Sequence, residues 1–288
     1  MTPHIRQYSP SDSASPFKLA VFDLDGTVLT PEKTVTPRFI AALELARRQS
    51  IHIAFASGRS LPSVLDFMAQ MRLRHTPAFA IACNGAEIWS EQEQRLIAVF
   101  PLDAPAIGEL RELSRTLGVN CYALHTNMLV SHVPVGMNAA VRRLSRFQVA
   151  VESDAVSPVT QTPKMMFIEE AEQIDALIRR IPDDYRQRYH MVRSEPHYFE
   201  VMRQGVHKGT ACAYLARYLG IQPANVFALG NEHNDREMLA FAGLGVAMAN
   251  ASASVKEHAD WVTDSNSEDG AAKAVEMALL HASDPPER

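Results

Sequence analysis

Four short apolar runs, each followed directly by polar residues or glycine, constrain the fold of this chain more than any other feature. They occupy residues 18–23, 51–56, 78–83 and 226–229. Such runs are typical of strands buried on both faces, and helical patterns separate the first three of them. The β-α-β-α-β rhythm predicts an α/β fold with a doubly wound, Rossmann-like parallel sheet.

The rhythm changes in the middle of the chain. Residues 86–100 read as a hairpin and residues 104–117 as a helix, followed by pairs of short strands and by a helix containing Val141 and Leu144. Helices alternating with pairs of short strands predict an α+β module on an antiparallel sheet. The doubly wound rhythm returns at Lys208.

The chain therefore reads as one α/β core into which a second domain is inserted, a tolerated arrangement because core termini lie close together. We predict a discontinuous core of residues 17–85 and 205–280, and an α+β cap of residues 86–204. Residues 1–16 and 281–288 are polar and read as disordered tails, and the first of them lacks the apolar core of a signal peptide.

Charge and apolar runs argue against several classes of partner, and the cysteines indicate the compartment. The net charge is −5 and no run of six like charges occurs, so neither nucleic acid nor an anionic membrane is expected to bind. No stretch approaches eighteen apolar residues, so we expect no membrane span. The three cysteines follow no disulfide or zinc spacing, which fits a reducing cytoplasm.

Polar clusters follow the ends of the predicted core strands, where ligands bind in open α/β sheets. The clusters are Asp23 with Asp25, Ser57-Gly58, Asn84-Gly85 and Asn231 through Asp235, and Lys208 at a helix start can join the same edge. A chain without a site there would scatter its polar residues through the loops.

Asp23 and Asp25 stand two apart in an extended segment, so both carboxylates can point into one site. Uncompensated, they would repel each other. A hard cation such as Mg²⁺, or a division of roles between nucleophile and acid/base, resolves this, and phosphoryl transfer can use both. Ser57-Gly58 is typical of a phosphate-oxygen site, whereas Arg59 is expected to be solvated, with a phosphate contact as the alternative.

Taken together, these clusters resemble the motifs of the haloacid dehalogenase-like phosphatases, in particular the Cof-type branch near the YidA-like sugar phosphatases. The resemblance covers roughly residues 17–280 and rests on the motifs Asp23-Leu24-Asp25-Gly26-Thr27, Ser57, Lys208 and Gly230-Asn231-Glu232-His233-Asn234-Asp235, supported by residues 245–251 and 265–270.

The resemblance implies a mechanism and a role for each matching residue. Asp23 would attack phosphorus, Asp25 would act as acid and then base, and Thr27 would orient Asp25. Phosphate would be held by Ser57, Gly58, Lys208 and Asn234, and Mg²⁺ by Asp23, Asp25, Asn231 and Asp235. The substrate would be a small phosphorylated metabolite selected by the cap.

One residue departs from the family pattern, which has Asp where this chain has Asn231. An amide oxygen can still bind Mg²⁺, but the site loses a formal charge, so we expect weaker Mg²⁺ binding. Two other functions are compatible with the same residues. They are a phosphomutase of the same superfamily, and a non-catalytic binder of phosphorylated metabolites in which Asn231 marks lost metal binding. Nothing in the sequence indicates whether the protein is a monomer or an oligomer.

Overall fold

The structure is a computed structural model, and it describes residues 15–73, 76–126, 128–131, 148–152 and 159–280. The strands are β1 Leu19–Phe22, β2 His52–Ala56, β3 Ala78–Ala82, β4 Glu87–Ser90, β5 Arg95–Val99, β6 Leu102–Asp103, β7 Cys121–His125, β8 Met128–Ser131, β9 Gln148–Val151, β10 Gln161–Thr162, β11 Met165–Ile168, β12 Tyr189–Glu195, β13 Tyr198–Arg203, β14 Val226–Gly230, β15 Leu244–Ala247 and β16 Trp261–Val262. The α-helices are α1 Pro37–Arg48, α2 Leu61–Gln70, α3 Ala104–Leu117, α4 Ala171–Arg180, α5 Asp183–Arg188, α6 Lys208–Tyr218, α7 Arg236–Phe241, α8 Ala253–Lys256 and α9 Gly270–Val275.

The larger sheet has the strand order β16-β15-β14-β1-β2-β3-β4-β5. Pairing is parallel from β16 through β3 and antiparallel from β3 to β5. The predicted α/β class is confirmed. β1 lies between β14 and β2, so the crossover direction reverses next to the strand that ends at Asp23. In such sheets this reversal point is where ligands bind.

Both faces of the larger sheet are covered by helices, which explains why its strands are apolar throughout. Ala20 and Phe22 pack against one hydrophobic cluster together with α1, α2 and α9. Leu19 and Val21 point the other way into a cluster with α6, α7 and α8. Successive side chains of a strand alternate between faces, so each core strand contributes to both layers.

The hairpin β4–β5 corrects the predicted boundary at residue 86. The prediction assigned this hairpin to the cap, whereas β4 pairs with β3 and extends the larger sheet. The chain reverses direction through Cys83, Asn84 and Gly85, which all have positive φ. Periodicity identified the hairpin but carried no information about its partner strand. The inserted segment therefore begins after β5.

The inserted segment forms a second sheet with the order β12-β13-β11-β7-β8-β9. One face packs on α3 and α4 through Ile107, Leu110 and Ile174. Pairing is antiparallel, as predicted, except between β8 and β9, which are parallel. A parallel pair needs a long crossover. The residues between these strands include the predicted helix with Val141 and Leu144, and they lie outside the described residues.

The predicted tails also lie outside the described residues, except for Ser15 and Pro16. The carbonyl of Pro16 accepts a hydrogen bond of 2.7 Å from Asn225 and so contacts the core. No helix in the described part of the chain is long and apolar enough to cross a membrane. The three cysteines are buried and unbridged.

Candidate active site

The predicted site residues converge at the carboxyl edge of the larger sheet. Asp23 follows β1, Ser57 follows β2 and Asn231 follows β14, while Lys208 is the first residue of α6. Asp23, Ser57 and Lys208 are almost fully buried. The alternation of buried strands and helices therefore delivers residues 185 positions apart, Asp23 and Lys208, to within hydrogen-bond distance.

Lys208 joins two carboxylates at the bottom of the site. Its Nζ donates to Asp23 Oδ1 at 2.7 Å and to Asp235 Oδ1 at 2.6 Å. Burial raises the pKa of Asp23 to about 7, and Asp235 adds to the rise against the pull of Lys208. Burial alone would lower the pKa of Lys208, but the two carboxylates raise it above its ordinary value. Lys208 is therefore a fixed positive charge beside Asp23.

Asp25 lies at the mouth of the site and is held by two cations. Arg59 binds it in a bidentate pair, with Nε and one terminal nitrogen each 2.7 Å from a carboxylate oxygen. Lys33 Nζ donates to Asp25 Oδ1 at 2.9 Å. Partial burial works to raise the pKa of Asp25, but the hydrogen bonds from Arg59 and Lys33 lower it to about 2. Asp25 is therefore ionised at neutral pH in this arrangement.

The prediction that Arg59 is solvated was wrong, because its side chain is only 18% exposed and contacts Asp25. The role implied for Thr27, which is to orient Asp25, stays a prediction. Its hydroxyl contacts the Asn231 amide at 2.8 Å. Gly26 turns the backbone with a φ of 81°, and this turn brings Thr27 toward the loop after β14.

The Asn231 amide has two available orientations. One end of it lies 3.0 Å from Asp23 Oδ2, 3.0 Å from the Asp25 carbonyl and 2.8 Å from Thr27 Oγ1. If this end is Nδ2, its two N–H groups can donate to these oxygens, all three of which can accept. If it is Oδ1, two of its neighbours are acceptors that offer no hydrogen.

The second orientation fits a bound cation. It brings together a carboxylate oxygen of Asp23, the backbone carbonyl of Asp25 and the amide oxygen of Asn231, which are the ligand types that Mg²⁺ prefers. Within the described ranges no three His, Cys, Asp or Glu side chains form a metal site. The three oxygens described above are not such a group, because only Asp23 contributes an acidic side chain, whereas the other two oxygens are a backbone carbonyl and an amide oxygen.

Asp235, the fourth predicted metal ligand, directs both oxygens elsewhere. Its Oδ1 accepts from Lys208. Its Oδ2 accepts the backbone N–H groups of Asn231 and Glu232, each at 2.9 Å. In this arrangement Asp235 shapes the loop that presents Asn231 and anchors Lys208.

The predicted phosphate-binding residues border the same space. Ser57 Oγ accepts the Arg59 N–H at 3.2 Å, which closes the turn that contains Gly58. Asn234 Nδ2 donates to Asn84 Oδ1 at 2.9 Å. Asn84, noted in the sequence as part of a strand-end cluster but given no role, is therefore a direct neighbour of the predicted site.

A cleft of about 730 Å³ lies between the core edge and the inserted segment, with Asp23 and Asp25 in its lining. From the inserted segment it is lined by Lys164, Met166, Arg193, Ser194, Glu195, Tyr198 and Glu200. Sequence reasoning left the cap residues of the site unassigned and missed Lys164 and Glu200. The available signal was the charge of Glu200 within the apolar run Tyr198–Met202.

Known proteins and a family model match most of this chain. A model of the haloacid dehalogenase-like hydrolases matches residues 20–275. The HMP-PP phosphatase of Serratia proteamaculans is 32% identical over 241 residues, which cover 82% of this chain and 85% of that protein. The 5-amino-6-(5-phospho-D-ribitylamino)uracil phosphatase YcsE of Bacillus subtilis is 29% identical over 263 residues, which cover 91% of this chain and 96% of that protein.

Structural similarity extends over the same length. A haloacid dehalogenase-like hydrolase from Bacteroides thetaiotaomicron aligns with a TM-score of 0.79 at 27% identity, covering 90% of this chain and 98% of that one. Both the core and the inserted segment lie within these matches. The chain belongs to the haloacid dehalogenase-like hydrolase family.

Proposed function

We propose that this protein is a Mg²⁺-dependent phosphatase that hydrolyses small phosphomonoesters, with sugar phosphates as the preferred class, through an aspartyl-phosphate on Asp23. The observation that carries the proposal is the buried trio of Asp23, Lys208 and Asp235 beneath the cleft. Lys208 holds a positive charge where phosphate oxygens would gather, and Asp23 offers a carboxylate beside it. Phosphatases among the relatives support the reaction type.

In the first step, Asp23 forms a bond to phosphorus while the bond from phosphorus to the leaving alcohol oxygen breaks. Asp25 supplies a proton to that oxygen. In the second step, Asp25 takes a proton from water, the water oxygen attacks phosphorus, and the Asp23 carboxylate is released with inorganic phosphate. Both steps use groups that line the cleft: Asp23 forms and releases the bond to phosphorus, and Asp25 transfers the proton in each step.

Asp25 must become protonated before the first step, although Arg59 and Lys33 keep its pKa low without substrate. Phosphate oxygens on a substrate are strong acceptors for both cations. We propose that Arg59 and Lys33 turn from Asp25 to the substrate, so that partial burial and the negative charge of the substrate phosphate raise the pKa of Asp25 and let it take up a proton. Asp25 would then become available as the acid only after substrate has bound to Arg59 and Lys33.

Asp23, the carbonyl of Asp25 and Asn231 would hold Mg²⁺, with Asp235 anchoring their loop. When bound, the cation would neutralise part of the charge on the phosphate and on Asp23. The three buried, unbridged cysteines support a reducing compartment such as the cytoplasm.

The proposal is tested by measuring phosphate release from a panel of sugar phosphates and an aryl phosphate, with and without Mg²⁺. We expect wild-type release to need Mg²⁺ and Asp23→Asn to abolish it, since the amide cannot form the acyl phosphate. Asp66→Asn is the matched control, because Asp66 lines the same cleft away from the strand ends and should retain activity.

Release of no phosphate from any substrate would contradict the proposal and favour a non-catalytic binder. Release that depends on an added sugar bisphosphate, with transfer back to substrate, would favour a phosphomutase. Full activity in Asp23→Asn would remove Asp23 as nucleophile.

A further inference from the structure

A buried ion pair within the inserted segment contacts the core beside the proposed phosphate site. Lys164 Nζ lies 2.8 Å from Glu200 Oε1, and the two side chains are only 3% and 5% exposed. Lys164 Nζ also donates to the carbonyl of Gly58 at 2.8 Å. Gly58 belongs to the turn after β2, so this lysine of the inserted segment contacts the core directly.

Glu200 occupies an unusual position for a charge. On β13, Phe199 and Val201 pack into the hydrophobic cluster with α3 and α4, so Glu200 points from the opposite face, towards the core. Removing a carboxylate from water is costly unless partners satisfy it. Lys164 and Ser194 donate to Oε1, and Asn84 Nδ2 donates to Oε2 at 2.9 Å.

The charge of Glu200 sets the direction of a hydrogen-bond chain that reaches the core site. A carboxylate only accepts, so Asn84 must present Nδ2 to Glu200 and Oδ1 to its other neighbour. Asn234 must then present Nδ2 to Asn84, at 2.9 Å. Its own Oδ1 is buried and has no hydrogen-bond partner within the described residues. One cap carboxylate thus orients two core amides.

The core ends of these contacts are Gly58 and Asn234, two of the residues predicted to bind phosphate. A Cβ added to Gly58 would lie 3.2 Å from Asn84 Oδ1, so the Lys164–Gly58 contact and the Glu200–Asn84 contact reach the core close to each other. The backbone at Asn84 has a φ of 56°, an uncommon conformation for a residue with a side chain, and its side chain is held from both sides.

We propose that Lys164 and Glu200 are positioning residues that couple docking of the cap to formation of the phosphate site. This inference rests on the proposed phosphatase function and assigns the inserted segment a part in ordering the site. With the cap docked, Lys164 holds the Gly58 turn and Glu200 orients Asn84 and Asn234. With the cap away, both loops lose these partners. By thermodynamic reciprocity, phosphate bound at the core must then favour the docked cap.

The test measures inhibition by inorganic phosphate, together with kcat and KM for an aryl phosphate, in Lys164→Met and Glu200→Gln. Loss of one charge-assisted hydrogen bond predicts an inhibition constant for phosphate raised about ten-fold or more in each. The double variant should be little worse than either single one, because the residues act as a unit. Arg111→Met is the matched control, since it breaks a partly buried ion pair with Glu152 that lies within the inserted segment.

All three substitutions should lower the melting temperature, but only those at Lys164 and Glu200 should weaken phosphate inhibition. An inhibition constant that stays within about two-fold of wild type in both variants would overturn the inference, because a binding change that small corresponds to less than one hydrogen bond. If wild-type protein neither binds phosphate nor releases it from esters, the proposed function itself falls, and this inference with it.

A second measurement uses wild-type protein alone, so it tests the coupling even if Lys164→Met or Glu200→Gln does not fold. Inorganic phosphate should slow backbone amide exchange of wild-type protein in residues 164–168 and 198–203 of the inserted segment, as well as at the core edge. Slowing confined to the core loops would contradict the coupling.

Discussion

At the scale of single residues, Asn231 makes the proposed metal site one negative charge poorer than an aspartate at the same position would. Its amide can donate to Asp23 Oδ2 and to the Asp25 carbonyl, both at 3.0 Å, or can turn its oxygen towards a cation. Without Mg²⁺ this side chain can therefore donate hydrogen bonds within the site, and in the proposed function it would be a neutral ligand of the cation. An aspartate at this position would be a charged ligand and could not donate to Asp23 Oδ2 or to the Asp25 carbonyl.

We predict that Asn231→Asp strengthens Mg²⁺ binding by about ten-fold, because ligand charge largely sets affinity for hard cations. Titration calorimetry in the absence of substrate measures this. With the cation chelated, the variant should melt at a lower temperature than wild type, because a third carboxylate then faces Asp23 without compensation.

Asn250→Asp is the control, since it adds the same charge at an exposed residue whose amide contacts the Gly26 carbonyl. Equal Mg²⁺ affinity in wild type and Asn231→Asp, or an equal gain in the control, would refute the role of Asn231.

Some of the site could be predicted from single residues and some could not. Asp23 and Lys208 follow from the order of strand-end motifs, because parallel strands bring their ends to one edge. Arg59 could not be assigned, because its partner depends on the side-chain geometry of two loops. Lys164 looks like an exposed lysine in sequence. Its burial depends on Glu200 and on a core carbonyl 106 residues away.

At the scale of elements, the packing of α6 on α7 places Lys208. Gly209 is the second residue of α6, and a Cβ there would lie 2.7 Å from the backbone of Glu237. Glycine at this position lets the two helices approach closely. Lys208, one residue earlier, is thereby set between Asp23 and Asp235.

Gly209→Ala is expected to destabilise the protein by about 1–3 kcal/mol through overpacking and to lower kcat by moving Lys208. Gly108→Ala, also within a helix, meets nothing within 4 Å and is expected to stabilise by about 0.5–1 kcal/mol. Chemical denaturation gives both values. Changes of the same sign in the two variants would contradict the packing argument.

Local patterns predicted most elements because their causes are local. Thr36 caps α1 by accepting the Phe39 N–H at 3.2 Å, and Pro37 occupies the first turn. The hairpin β4–β5 was placed in the wrong sheet because strand pairing is a long-range property. β3 offered it an open edge, and nothing within residues 86–100 encodes that.

At the scale of the whole molecule, the inserted segment lies across the edge of the core where Asp23 opens into the cleft. The insertion could be predicted because the doubly wound rhythm stops and resumes. Its docking could not, because it depends on contacts such as that between Glu200 and Asn84, which are 116 residues apart. A cap in this position can exclude water from the reacting phosphate until the leaving group departs.

The proposed mechanism requires that Asp23 becomes phosphorylated during turnover. Wild-type protein is mixed with excess aryl phosphate and Mg²⁺, quenched in acid and reduced with borohydride, which converts an aspartyl-phosphate to homoserine. Peptide mass spectrometry then locates the product. We expect homoserine at position 23 in wild type and none in Asp23→Asn. Rapid phosphate release with Asp23 unmodified, or with the modification at Asp25, would contradict it.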